Sequence, residues 1–362
     1  MIQDDATQKI YEELKRTIRT AVPESVVPDF ELQRKAELVK EIRELKKQKN
    51  AVILGHNYME PVLFYSIPDF RGDSLALSKK AAETDADIIV FCGVGFMAET
   101  AKILNPTKKV LIPSQKAGCS LAEGIKAEDV RWIKSRFPGL PVVTYINTYA
   151  DVKAETDYCC TSGNATKVVE TACKEFGTKS VIFLPDKYMA QNIANETGRK
   201  TFYPDRTKPE QELPDYKNDA YIIGWNARCY VHEQYTVEHI KDIRNTYPDV
   251  EILAHPECPP DVVKASDYSG STSGMVEYVE KHGANKRIAL LTECSMADNI
   301  VATHPEVNDN LIRMCNLRCK YMNTITLEQT RDALKYEQYE VNVPDDIRER
   351  ALLSVQRMIK IG

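Results

Sequence analysis

The chain contains no Cys-x-x-Cys pair, although it holds ten cysteines in 362 residues. Cys159 and Cys160 are adjacent and Cys315 and Cys319 are four apart, which excludes a local zinc ribbon and a ferredoxin-type run. A basic run is also missing. The net charge is −5, with 48 Lys+Arg against 53 Asp+Glu, and this argues against a nucleic-acid partner. No apolar stretch is long enough to span a membrane, because the longest, Ile88 to Ala98, is broken by Gly93 and Gly95. The opening MIQDDATQKIYEELK lacks an apolar targeting segment, so the expected location is cytoplasmic. With 43% apolar and 28% charged residues, the composition is globular and the length suits two or three domains. Disulfides are rare in the cytoplasm, so the cysteines are expected as buried thiols or as metal ligands gathered from distant segments. Cys92 and Cys173 sit in apolar or helical contexts and fit the first description.

Two helices, over 3–20 and 30–49, open the chain and are parted by Pro23 and Pro28. From Ala51 onward short Val- and Ile-rich runs alternate with helix-like segments: AVILGHNY, ADIIVFCG, KVLIPS, PVVTYINT, SVIFLPD, AYIIGW, EILAHPE and RIALLTE. Such runs read as buried strands of parallel sheets, and their alternation with helices gives the α/β class. Ligands in such sheets bind beyond the carboxyl ends of the strands. Those ends carry His56, Tyr145, Asn147, His255 and Glu257.

The chain also repeats itself. FMAETAKIL from Phe96, YMAQNIANE from Tyr188 and SMADNIVAT from Ser295 each open a helix after a strand. RGDSLALSKKA, CTSGNATKVVE and SGSTSGMVEYV are small-polar clusters that do the same. His56 to Ser74 is 18 residues, Tyr145 to Ser162 is 17 and His255 to Thr272 is 17. From Met97, Met189 and Met296 to a following cysteine the steps are 22, 40 and 23, ending at Cys119, Cys229 and Cys319. The long step contains PDRTKPEQELPDYKND, a Pro- and charge-rich insertion over 204–219. Three mixed α/β units of about 85–90 residues are therefore expected to close around a pseudo-threefold axis, with the equivalent cysteines converging on it.

Three convergent thiolates can hold zinc with an open fourth position, or three irons of a [4Fe–4S] cube with the fourth iron free; spacing does not choose between them. Lys116, Arg228 and Arg318 precede the cysteines closely and would offset thiolate charge. Ser74, Ser162 and Thr272 lie at helix starts, where plain N-caps are common but where free N–H groups also bind anions. His232, His239, His282 and His304 lack such context and are read as surface or structural.

HNY at 56–58, GDSL at 72–75, GVGFMAETAKIL at 93–104, Tyr-x-Asn at 145–147, PDK at 185–187, HPE at 255–257, GSTSGM at 270–275 and the three cysteines together resemble the quinolinate synthase family. The likeness runs in unbroken order from about Glu31 to the closing VPDDIRERALLSVQRMI. It implies three repeated three-layer αβα units with parallel sheets around a central cluster and active site. It implies condensation of iminoaspartate with dihydroxyacetone phosphate to quinolinate, phosphate and water in de novo NAD biosynthesis, with iminoaspartate received from an aspartate oxidase or dehydrogenase. The implied cofactor is a [4Fe–4S] cluster on Cys119, Cys229 and Cys319 whose open iron acts as Lewis acid. The implied substrate contacts are His56, Tyr58, Ser74, Tyr145, Asn147, Ser162, His255, Glu257 and Thr272, with His56, Tyr58 and Glu257 as proton carriers. Glu257, beside substrate carboxylates and thiolates, is expected to have a raised pKa. A zinc lyase on the same frame and a non-catalytic iron–sulfur sensor are the rivals. Expected divisions are a helical extension (1–36), units at 37–121, 122–209 and 210–305, and a C-terminal segment (306–362). The stretch before Glu31, the 204–219 insertion and Cys315, which does not form the Cys-x-x-Cys-x-x-Cys run of some members, depart from the family pattern.

Overall fold

The structure, a computed structural model, describes residues 4–314 and 317–362. Its described strands form three sheets in which every pair is parallel. The first holds β1 (Ala51–His56), β2 (Phe70–Gly72), β3 (Ile88–Cys92) and β4 (Lys109–Leu111). The second holds β5 (Val142–Tyr145), β6 (Tyr158–Cys160), β7 (Val181–Leu184), β8 (Lys200–Phe202) and β9 (Tyr221–Ile223). The third holds β10 (Glu251–Ala254), β11 (Tyr268–Ser269), β12 (Ile288–Leu291) and β13 (Leu311–Ile312). The strand orders are β2-β1-β3-β4, β6-β5-β7-β9-β8 and β11-β10-β12-β13. Each sheet thus repeats one topology, with β8, just before the 204–219 insertion, as an added edge strand in the second.

The central strands β3, β5, β7 and β12 are buried along their whole length, as helices on both faces require. Each unit also reuses one aspartate clamp. Asp69, Asp157 and Asp267 stand just before the second strand, and each carboxylate accepts the backbone N–H of a first-strand residue, Ile53, Val142 or Ile252, at 2.8 Å. The aspartate's own N–H donates back to the carbonyl of that same residue. Three reciprocal pairs at equivalent positions give the repeat a structural basis beyond sequence spacing.

The expected divisions need adjustment. The sheet of the second unit runs to Ile223, beyond 209, because β9 pairs with β7. The third runs to Ile312, beyond 305, because β13 pairs with β12. The helix Asp29–Gln48 crosses the boundary at 36. The opening helix Asp5–Ile18 is capped by Asp4 and packs on Asp29–Gln48, and Arg313 of the third unit donates to the carbonyl of Ala21 at 2.8 Å. Residues 204–219 fold onto the second unit, where Tyr216 is buried against Phe137 and Ser180 donates to the Tyr216 carbonyl.

Candidate active site

The carboxyl ends of the three sheets meet at one common cavity. First strands deliver His56 and Tyr145 at their ends, with Tyr58, Asn147, His255 and Glu257 just beyond. Second strands lead to Ser74, Ser162 and Thr272. The loops after the fourth-position strands β4, β9 and β13 carry Cys119, Cys229 and Cys319 to the same wall. The structure therefore brings all the residues singled out from the sequence to one cavity. Cys315 lies outside the described residues.

Ser74, Ser162 and Thr272 are not the N-caps of their helices. Asp73 and Ser271 cap the first and third, accepting the N–H groups of Ala76 and Gly274, and Asn164 occupies that place in the second. The three hydroxyls are thus left to the cavity wall, with Thr272 Oγ1 accepting from Asn57 Nδ2 at 3.0 Å.

The cysteine loops are built alike. The N–H of Gly95, Lys187 or Cys294 donates to the carbonyl two residues before the cysteine, at Ala117, Ala227 or Leu317. Each cysteine then starts a single helical turn, its carbonyl accepting the N–H four residues on, at Glu123, Glu233 and Asn323, over 2.9–3.0 Å. Backbone N–H groups two and three residues on, of Leu121 and Ala122, Val231 and His232, Tyr321 and Met322, oppose the effect of burial on each thiol. Burial raises all three thiols, Cys119 to about 12, while these N–H groups favour the thiolate. Paired N–H donors around three half-exposed thiols fit sulfurs that bind a metal centre, which holds them deprotonated.

One histidine was misread. His232 is buried, lines the cavity, and stands with its ring stacked on that of His255 at 4.5 Å between centroids. Its Nδ1 lies 2.8 Å from Glu257 Oε2 and 3.3 Å from Cys229 Sγ, and its Nε2 lies 3.0 Å from Thr292 Oγ1. Thr292 Oγ1 is 2.6 Å from the Tyr58 hydroxyl, and Tyr145 donates to Glu257 Oε1 at 2.6 Å. The protons can be assigned from these partners. A carboxylate only accepts, so His232 carries a proton on Nδ1; with the ring neutral, its Nε2 accepts from Thr292, and Thr292 accepts from Tyr58. The result is a directed chain, Tyr58 to Thr292 to His232 to Glu257, drawn from all three units. The signal for His232 was its place three residues after Cys229; Ala122 and Met322 hold that place elsewhere, so no repeat echo marked it.

Glu257 also departs from expectation. Burial pushes its pKa up, but His232 and the Tyr145 hydroxyl, both hydrogen-bonded to it, hold its carboxyl below the ordinary range instead of above it. The strand-end histidines are neutral. Burial brings His56 down to about 4 and His255 to about 3. Their Nδ1 atoms accept the N–H two residues on, from Tyr58 at 3.2 Å and Glu257 at 3.3 Å, which fixes the remaining proton on Nε2. Glu293, unmarked in the sequence reading, completes the wall: it accepts the N–H of Cys319 at 3.3 Å, and burial raises its pKa to about 7.

The family model described as NadA, quinolinate synthetase A protein, matches residues 40–360. The chain belongs to the quinolinate synthetase A family. A quinolinate synthase of Caulobacter vibrioides (strain NA1000 / CB15N) is 50% identical over 337 residues, covering 92% of this chain and 84% of the relative. Quinolinate synthase 2 of Mesorhizobium japonicum is 48% identical over 336 residues, 93% of this chain and 95% of the relative. The quinolinate synthase of Agrobacterium fabrum is 47% identical over 336 residues, 93% and 89% respectively. For a member of this enzyme family, the group Cys229, His232 and Glu257 is compatible with a metal cluster at the cavity. No described helix is long and apolar enough to cross a membrane.

Proposed function

We propose that the cavity condenses iminoaspartate with dihydroxyacetone phosphate, releasing quinolinate, phosphate and two waters, on a [4Fe–4S] cluster held by Cys119, Cys229 and Cys319. The observation that carries this reading is the convergence of three identically built cysteine turns on the cavity that holds the Tyr58–Glu257 chain. When bound, such a cluster supplies one iron without a protein ligand, a Lewis acid for a substrate oxygen. Four carbons come from one substrate and three from the other, and the atoms balance with no net oxidation.

The protein's own groups account for binding and proton movement. The neutral Nε2–H groups of His56 and His255 donate to substrate oxygens, and Ser74, Ser162 and Thr272 present hydroxyls beside helix starts that favour carboxylate and phosphate. Tyr58 is the proton carrier. As its oxygen takes a proton from substrate, its own proton passes to Thr292 and that of Thr292 passes to Nε2 of His232. The imidazolium so formed is paired with the Glu257 carboxylate. Reversal of the same transfers protonates a leaving group. Glu257 then orients and stabilises His232; a carboxylate held below its ordinary range is a poor base.

The alternative reading places zinc on the same three cysteines. Zinc there would bring no sulfide, so metal and sulfide analysis separates it from the cluster. Anaerobic purification with iron and sulfide quantitation, followed by assay of quinolinate formation from the two substrates, tests the proposal. About four irons and four sulfides per chain with product formation is the expected outcome; zinc without sulfide, or no quinolinate, would refute it.

Ser162→Ala and Thr272→Ala should each raise KM about tenfold, the scale of one lost hydrogen bond to a charged group, with the cluster absorbance unchanged. Because Ser162 does not cap its helix, Ser162→Ala should melt close to wild type, whereas Thr272→Ala leaves the buried Asn57 amide without its acceptor and should melt lower. Unchanged KM in both variants would remove them from the substrate pocket.

A further inference from the structure

Lys153 ends the short helix Ala150–Lys153 and is fully buried. No carboxylate among the described residues pairs with it at ion-pair distance, which is a costly placement for an ammonium group. Its Nζ donates to the carbonyl of Ile146 at 3.0 Å and also to that of Thr148, and it stands 5.6 Å from the centroid of the Phe96 ring, which lines the cavity. The two carbonyls flank Asn147. Asn147 and Tyr145 both face Glu257 Oε1, at 3.5 Å and 2.6 Å.

Comparison of the units shows why a lysine is there. Pro61, Ala150 and Pro260 open equivalent helices, each five residues after the strand-end His56, Tyr145 or His255. Lys153 therefore corresponds to Phe64 and Val263, which are apolar. In the first and third units the strand-end histidine pins its own turn: the ring accepts the N–H two residues on, and the carbonyl accepts the N–H three residues on, at Met59 or Cys258, over 2.9 Å. A phenol ring offers no such nitrogen. In the second unit the N–H of Thr148 turns instead to Ile146, at 2.8 Å, and the lysine grips the carbonyls on both sides of Asn147.

We infer that Lys153 is the positioning residue of the Tyr145–Asn147 turn, replacing the histidine pin of the other two units and setting the two side chains against Glu257. This inference rests on the proposed function for its kinetic consequence, but its structural part does not. Lys153→Met, in the cluster-loaded full chain, should accelerate amide hydrogen exchange at least tenfold in peptides covering 145–150 and leave peptides covering 56–60 and 255–259 unchanged. It should lower kcat/KM for quinolinate formation at least tenfold in the wild-type background and less than threefold in a Tyr145→Phe, Asn147→Ala background, because the lysine acts through those two side chains. Unchanged exchange over 145–150, or the same loss of kcat/KM in both backgrounds, would overturn the assignment. Should the methionine variant fail to fold, Lys153→Gln is put through the same two measurements and judged by the same criteria. If the unmodified enzyme forms no quinolinate, the functional reading fails, and the exchange comparison alone still decides the role of Lys153.

Discussion

Cys119→Ala, Cys229→Ala and Cys319→Ala should each purify anaerobically as a folded chain without stoichiometric iron and sulfide, whereas Cys92→Ala and Cys173→Ala should retain both. The two groups differ in surroundings rather than in burial alone. Cys92 is packed in β3 against Thr330, and burial lifts its thiol to about 12 with no backbone N–H directed at it to oppose the shift. The Cys173 thiol spends its proton on the carbonyls of Lys179 and Ser180. Cys119, Cys229 and Cys319 each face the cavity, with two backbone N–H groups that favour the thiolate. Each also sits on a turn closed by backbone bonds that alanine preserves, so the fold should survive. Iron and sulfide quantitation, with the visible absorbance and a thermal melt, checks this. Full cluster occupancy in any of the three variants would remove that cysteine from the ligand set.

How far the sequence reaches depends on the kind of signal each feature leaves. β1, β3, β4, β5, β7, β9, β10 and β12 were legible because each falls within a Val- or Ile-rich run bounded by polar residues. β2, β6, β8, β11 and β13 were not, since two or three residues carry no period. For β2, β6 and β11 the trace was chemical: Asp69-Phe70, Asp157-Tyr158 and Asp267-Tyr268 place the clamp aspartate before an aromatic residue in every unit. The site residues at first-strand ends, helix starts and cysteine loops were found because the repeat sets them side by side. Thr292 and His232 escaped because they serve the site once. Thr292 follows the third strand of its unit, where the other units have Gly93 and Pro185. Residues that occur in only one unit and bond across the axis need coordinates to be seen.

Glu257→Gln should lower kcat by about 10³–10⁴-fold, the cost seen when a carboxylate that fixes a catalytic histidine's tautomer becomes an amide. The cluster should remain intact and substrates should still bind. The amide has two ways to sit. With its NH₂ toward His232 it donates to Nδ1, moves the ring proton to Nε2, and turns the Thr292 hydroxyl toward Tyr58; the phenol then faces a donor and cannot pass its proton on. With its oxygen toward His232, the NH₂ meets the Asn147 amide and the Tyr145 hydroxyl, both of which donate to the carboxylate in the native site. Either orientation also removes the negative charge that stabilises an imidazolium. Glu257→Asp keeps that charge at shorter reach and should lose far less. The carboxyl already lies below the ordinary range, so its own titration should not shape the pH dependence of kcat near neutrality. Turnover, KM and absorbance of the two variants, measured together, decide the matter. Near wild-type kcat in Glu257→Gln with the cluster present would break the chain at His232 and leave Tyr58 to exchange protons by another path.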